Sequence, residues 1–395
     1  MSNTIVANKK LKAPKKMYQH TIPRFILRQF DVSYEPLPSQ VKKDQEIWRQ
    51  SKRYHAIHFY NLENGCFTIE DLGSVYGETN LYRNQKEPRD VDYLEHRLGN
   101  LEQHACSAIK LIHYGILCSS VTFTRAELVS LRKFVFLTHY RSAAASVSYF
   151  CESDPRNASL VDWIESLKTS HGLETDDDVW KEGLKYYLDT SHEDIIAAGQ
   201  ALRYRYGEQQ LQKMLQSRVD PELEEWYAID YENQAKNFCL GIWEAATGSE
   251  FVLSENGSGI WDRLIYGSPG THKIYVVQVT YSEDLSLDLH PTPNKLRPSL
   301  LPETPDDRFI FKFTKLSFDQ TYSVNEVLLR NANVKHRGSI TFLSCRLMLQ
   351  TLKRYLASGN PALLEEKALF RPLVESLSSF QSKMTKEKSS QGTNL

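Results

Sequence analysis

The sequence lacks every short motif that would name a reaction by itself. No Gly-x-Ser-x-Gly elbow occurs, which argues against a serine hydrolase of that build. Gly257-Ser258-Gly259 is too short for a phosphate loop and has no lysine after it. The six cysteines, Cys66, Cys106, Cys118, Cys151, Cys239 and Cys345, form no Cys-x-x-Cys pair and no close Cys/His cluster, so structural zinc and a disulfide framework are disfavoured. Reduced thiols in a cytoplasmic or nuclear compartment fit that pattern. Excess charge of one sign is missing too: 48 Lys plus Arg face 49 Asp plus Glu, for a net charge of −1. Without a global field, nucleic acid would have to bind through a local patch. No apolar run reaches the roughly 18 residues of a spanning helix, and the N-terminus has no signal-peptide core. The expectation is a protein neither secreted nor embedded in a membrane. Internal repeats and coiled-coil heptads are likewise absent.

What is present is a globular composition, 41% hydrophobic and 25% charged, on a chain long enough for one large core or two smaller ones. Ala56 to Tyr60 alternate, Asn61-Leu62-Glu63-Asn64-Gly65 makes a turn, and Cys66 to Ile69 returns, which reads as a β-hairpin. Leu94, Leu98, Leu101, Ala105, Ala108 and Ile112 recur at three-four spacing and mark one buried helical stripe. Thr124 with Glu127 makes a capping box for a second helix carrying Leu128, Leu131, Phe134, Val135 and Leu137 towards Tyr149. Residues 154–225 read as a helical middle region anchored by Trp163, Trp180 and Tyr186-Tyr187. Phe251 to Leu253, Lys273 to Thr280, Leu285 to Leu289 and Phe309 to Phe318 read as strands, followed by helices from Asn325 to Arg330 and Leu343 to Leu356. The fold expected is α+β and helix-dominated, with a small, mainly antiparallel sheet made by the N-terminal hairpin and the C-terminal strands. Because strands flank the helical middle, residues 18–380 are expected to form one discontinuous unit. Residues 1–17, with Lys9, Lys10, Lys12, Lys15 and Lys16, read as a disordered basic arm, and 381–395 as a disordered tail.

The densest stretch is Gln19-His20-Thr21-Ile22-Pro23-Arg24-Phe25-Ile26-Leu27-Arg28-Gln29-Phe30, which places a titratable His and a Pro just before a basic-apolar helix start. With Gly77-Glu78-Thr79-Asn80-Leu81-Tyr82-Arg83, Leu94-Glu95, Leu101-Glu102, Thr138-His139-Tyr140-Arg141 and Phe251-Val252-Leu253-Ser254-Glu255-Asn256, it resembles the domain-of-unknown-function 4238 family, most closely its fungal members. The resemblance runs from about Gln19 to about Leu356. Family members usually open with His-Tyr-Val-Pro and carry Ser-Asp-Asn-Pro where this chain has Ser254-Glu255-Asn256-Gly257. The carboxylate therefore lies one methylene further out, before a flexible Gly. The resemblance implies no established activity; it groups these residues.

His20 has a near-neutral intrinsic pKa and suits an acid, a base or a ligand, though it would equally lock an entry turn through a backbone hydrogen bond. Glu95 and Glu102 lie seven residues apart, on one helix face, about 10 Å apart along the axis. They flank the apolar stripe, where desolvation would tune a base or two carboxylates would gather a hard cation such as Mg2+ or Mn2+. The same positions suit a solvated helix edge paired with Arg97. His139 and Arg141 close an otherwise apolar helix, and a guanidinium meeting the two glutamates would make either a structural clamp or the start of a phosphate site. Glu255 sits at a strand end, where polar side chains enter clefts or build turns. Two functions follow. One is a metal-assisted hydrolase, a phosphodiesterase or nuclease, with His20, Glu95, Glu102, Arg141 and Glu255 as catalytic residues and Glu95, Glu102 and Glu255 as metal ligands. The other is a non-enzymatic binding module whose polar residues are an internal hydrogen-bond network.

Overall fold

The computed structural model describes residues 16–32, 55–84, 90–142, 149–220, 223, 226–255, 265–280, 304, 306–332, 338–358 and 367–391. The expected basic arm up to residue 15 and the expected strand Leu285 to Leu289 lie outside these. In chain order the elements are β1 (Tyr18–His20), α1 (Arg24–Leu27), the hairpin β2 (Ala56–Asn61) and β3 (Cys66–Asp71), and β4 (Gly77–Thr79). Next come α2 (Tyr93–Gly115), β5 (Ser120–Thr124), α3 (Arg125–Tyr140), α4 (Val161–His171), α5 (Asp176–Asp189), α6 (His192–Tyr206), α7 (Glu208–Gln216) and α8 (Trp226–Asn237). The C-terminal part holds β6 (Phe238–Glu244), β7 (Leu253–Ser254), β8 (Ile265–Pro269), β9 (Ile274–Thr280), β10 (Arg308–Lys312), β11 (Thr314–Lys315), α9 (Phe318–Asn331), β12 (Ser339–Phe342), α10 (Cys345–Ala357) and α11 (Arg371–Gln391). The protein is α+β and helix-dominated, with small antiparallel sheets.

The sheet order β3-β2-β12-β7 joins the N-terminal hairpin to C-terminal strands, pairing Tyr60 with Ile340 and Thr341 with Leu253. The strands do not gather into one sheet, however. β11-β6-β9-β8 forms a second four-stranded sheet, and β1-β4 and β5-β10 are separate two-stranded pairs. Among the described residues only β11 with β6 is parallel. The hairpin turns because Gly65 adopts φ +65°, while Asn61 Oδ1 accepts from the Glu63 and Asn64 amides.

The capping box at α3 is present: Thr124 Oγ1 accepts from Glu127 N, and Glu127 Oε2 accepts from Thr124 N at 2.7 Å. Both helical stripes read from sequence are buried, with Leu101 only partly so, packing between two apolar cores. α3 stops at Tyr140 instead of continuing to Tyr149. α9 begins seven residues before the expected Asn325, because Ser317 and Gln320 form a capping box that precedes the apolar periodicity. α11 runs past residue 381 to Gln391, into the expected tail, whose residues 392–395 lie outside the described ones. Among the described residues no helix is long and apolar enough to cross a membrane.

Three cores result. The helical middle packs Trp163, Trp180 and Tyr187 with Leu94 and Tyr140. A second joins Ile26 and Phe30 to α2, α3 and Val276, and a third joins Tyr60 to Phe251, Tyr355 and Phe370.

Candidate functional site

The signature strand β1 is held against the 76–82 segment by backbone and side-chain bonds together. Thr21 N and Oγ1 both donate to Tyr76 O, Asn80 Oδ1 accepts from Met17 N, and Gln19 Oε1 accepts from Tyr82 N at 2.7 Å. The two backbones pass so closely that a Cβ on Gly77 would lie 2.2 Å from Gln19 O. This explains why His20 and the Asn80-Leu81-Tyr82 string travel together: each segment satisfies the other's backbone.

Arg141 is positioned from the opposite side. It follows the last turn of α3, where Tyr140 Oη donates to Trp180 O at 3.0 Å and Trp180 Nε1 donates back to Tyr140 O at 3.1 Å. Tyr82, Trp180 and Tyr140 stack in series, with ring centroids 6.0 and 6.2 Å apart. The helical middle thus pins both Tyr82 and the helix end that carries Arg141. A Cβ on Gly183 would lie 2.3 Å from Tyr140 Oη, so this approach depends on glycine.

Four of the five expected residues share one electrostatic environment. Arg141 is only 2% exposed, and its Nη1 pairs with Glu102 Oε1 at 2.7 Å. That pair and the nearby Tyr82 hold the guanidinium firmly charged despite its burial. Glu95, on the same face of α2, is pushed towards its protonated form by burial and by the Glu102 charge, against a smaller pull from Arg141. Burial, with the positive charges of Arg24 and Arg141, lowers the His20 pKa to about 4, so the ring is neutral near pH 7. Its imidazole bonds the Leu72 backbone. Tyr82 Oη donates to His20 O at 3.2 Å, and its phenol is held protonated by burial.

Glu255 is placed differently. Its Oε2 accepts from Ser339 Oγ at 2.9 Å and its amide donates to Ser339 O, at the end of β7. Its charge acts on Tyr18 and Tyr76. The link to His20 is Tyr18, whose ring stands edge-on to the imidazole at 5.2 Å. Asn256 and Gly257 lie outside the described residues. Among the described residues no group of three His, Cys, Asp or Glu side chains is arranged to hold a metal ion, so Glu95, Glu102 and Glu255 do not make the expected three-carboxylate centre. The reason is geometric: Glu102 on α2 is committed to Arg141 at the end of α3, while Glu255 is committed to Ser339 on β12. His139 does not join the glutamates as a cation, because burial lowers its pKa to about 4.

Several polar atoms in this cluster are buried without a hydrogen-bond partner: Arg141 Nε and Nη2, His20 Nε2 and Gln19 Nε2. Buried polar groups are normally satisfied, so three donors and one imidazole nitrogen at one place make a site suited to an acceptor-rich ligand. Gln19 and Tyr82 belong to it and were not among the residues expected. Both lie within the strings that carried the resemblance, but neither residue type signals a site alone.

A family profile described as a protein of unknown function (DUF4238) matches residues 18–281, two thirds of the chain. The chain belongs to the DUF4238 family. The match takes in β1, the Arg141 cluster and β9, and it ends before α9, α10 and β12. It stops short of the Leu356 limit expected from the sequence. No curated protein and no solved structure matches the chain.

Proposed function

We propose that the Arg141 cluster recognises a phosphoryl group and that this DUF4238 protein is a phosphodiester-directed hydrolase acting within the cytoplasm or nucleus. The observation that carries the reading is the pair of unpartnered N–H groups on a buried, Glu102-anchored guanidinium beside a neutral imidazole. A guanidinium fork matches two phosphate oxygens. In the proposed step a water oxygen attacks phosphorus and gives its proton to His20 Nε2 as the P–O ester bond breaks. Glu95, held towards its protonated form, delivers a proton to the leaving oxygen.

The test is turnover of phosphodiesters, RNA and DNA by the purified chain with Mg2+, with Mn2+ and with chelator, alongside Glu95→Gln, Glu102→Gln and His20→Gln. The reading expects turnover that falls at least about 100-fold in Glu95→Gln and His20→Gln. Absent turnover, or turnover indifferent to these changes, removes it.

A second reading has its own observation. Glu102 with Arg141 and Gln19 with Tyr82 tie together segments far apart in sequence, as a structural network would. Under it, His20→Ala and Glu102→Ala each lower stability by about 1–3 kcal/mol while no substrate is turned over.

A further inference from the structure

Away from Arg141, the end of the molecule where α2 gives way to β5 carries an exposed apolar tip flanked by lysines. α2 runs into a single 3-10 turn, Ile116–Cys118, and the chain reverses at Ser119, whose φ of +51° is a left-handed conformation uncommon outside glycine. The reversal is tightly braced. Phe313 N donates to Ser119 O at 2.9 Å, and a Cβ on Gly115 would lie 2.4 Å from Ser120 O. On this turn Leu117 is 95% exposed and Tyr114 75%, with Leu111 also exposed one helical turn back. Beside it, the ribbon of β5 and β10 directs Val121 and Phe311 towards the core and Arg308, Ile310 and Lys312 outwards, Ile310 being 62% exposed. Four of the eight exposed large apolar side chains among the described residues thus lie at this one end, so they form a patch and not a scatter of single residues.

We infer that this tip docks the protein on an anionic lipid surface, with Leu111, Tyr114 and Leu117 entering the interface while Lys110 and Lys312 meet the headgroups. Charge complementarity selects the partner. From Gln103 to Ala126, and again from Arg308 to Phe318, the chain has no acidic residue. Lys110 and Lys312 are both exposed, and Lys312 stands opposite Ser120, three residues past Leu117. Asp307, the nearest acid before β10, pairs with Arg125 at 3.2 Å, at the far end of the ribbon. Aliphatic side chains with a tyrosine among lysines suit the boundary between headgroups and acyl chains, where both longer side chains keep their polar ends wet. A single-stranded nucleic acid is disfavoured, because it calls for several phosphate contacts and for flat rings under its bases, whereas Leu111, Leu117 and Ile310 offer no face for stacking. A second copy of the chain is disfavoured because a two-fold contact would set lysines against lysines with no carboxylate on these segments to answer them.

Flotation of the full chain with vesicles of phosphatidylcholine alone, or with about 30% phosphatidylserine, in about 0.1 M and about 0.5 M salt, tests the docking. The expected result is binding to the anionic vesicles that falls about tenfold in Leu117→Ser and in Tyr114→Ser. Both positions are too exposed for these changes to disturb folding. Lys110→Glu, Lys312→Glu and the higher salt should each weaken binding about fivefold or more. Absent binding, equal binding to both vesicle types, or binding unchanged in all four variants overturns the inference. A Leu117-dependent dimer, or a Leu117-dependent complex with a single-stranded oligonucleotide, in place of vesicle binding overturns it as well by assigning the tip to another partner. None of the four residues belongs to the Arg141 cluster, so the outcome is independent of phosphodiester turnover.

Discussion

At the scale of single residues, Arg141 decides how the cluster responds to change. A guanidinium at 2% exposure with one carboxylate partner leaves a buried charge uncompensated when that partner is removed. Glu102→Gln should therefore cost about 3 kcal/mol in urea denaturation, and Arg141→Met in the same chain should recover part of it. Glu95→Gln should behave differently. Burial and the Glu102 charge already disfavour its ionised form, so the amide should cost less than Glu102→Gln in the same denaturation while turnover, if Glu95 is the acid, is lost. The residue types of this cluster were readable from the chain because His, paired Glu and Arg carry recognisable chemistry. Gln19 and Tyr82 were not, since a buried glutamine bonding a backbone amide has no pattern in sequence.

At the scale of elements, local signals were legible where capping or turn chemistry adjoins clear apolar periodicity or alternation, and were missed at α9, where the Ser317 cap precedes the periodicity. Thr124 with Glu127 and Asn61 to Gly65 were legible because their hydrogen bonds close within a few residues. Thr124→Ala is expected to cost about 1 kcal/mol, read as a lower melting temperature. The short strands β1, β5 and β12 were not assigned, because their partners β4, β10 and β2 lie 57 or more positions away and nothing local marks the pairing. Gly77 belongs to this second kind: Gly77→Ala would drive a methyl into Gln19 O, separate β1 from β4, and destabilise by about 1–3 kcal/mol. Amide exchange at Thr21 N, which bonds Tyr76 O, should accelerate in that variant.

At the scale of the whole molecule, buried titratable groups set opposing slopes with pH. His20 and His139 have folded pKa values near 4, below the usual 6.5. Between those values the unfolded chain binds more protons, so their contribution is complete above pH 6.5 and is lost as pH falls towards 4. Glu250, raised from 4.5 to about 7, acts in reverse: its contribution is complete below pH 4.5 and is lost as pH rises to about 7. Each group contributes a slope of at most about 1.4 kcal/mol per pH unit, less where solvent screens it. Urea midpoints from pH 4 to 8 should show His139→Gln flattening the acid limb and Glu250→Gln flattening the fall towards neutrality.

The chain by itself determined its helix-dominated α+β class, its hairpin and its two amphipathic helices, because periodicity and capping are local properties. Only the tertiary structure decided which carboxylate meets the arginine, that Glu255 turns to Ser339, and that the strands divide among several sheets. Those outcomes depend on contacts between positions tens to hundreds of residues apart. Local pattern carries no information on such distances, whereas close packing and the need to satisfy every buried polar group do.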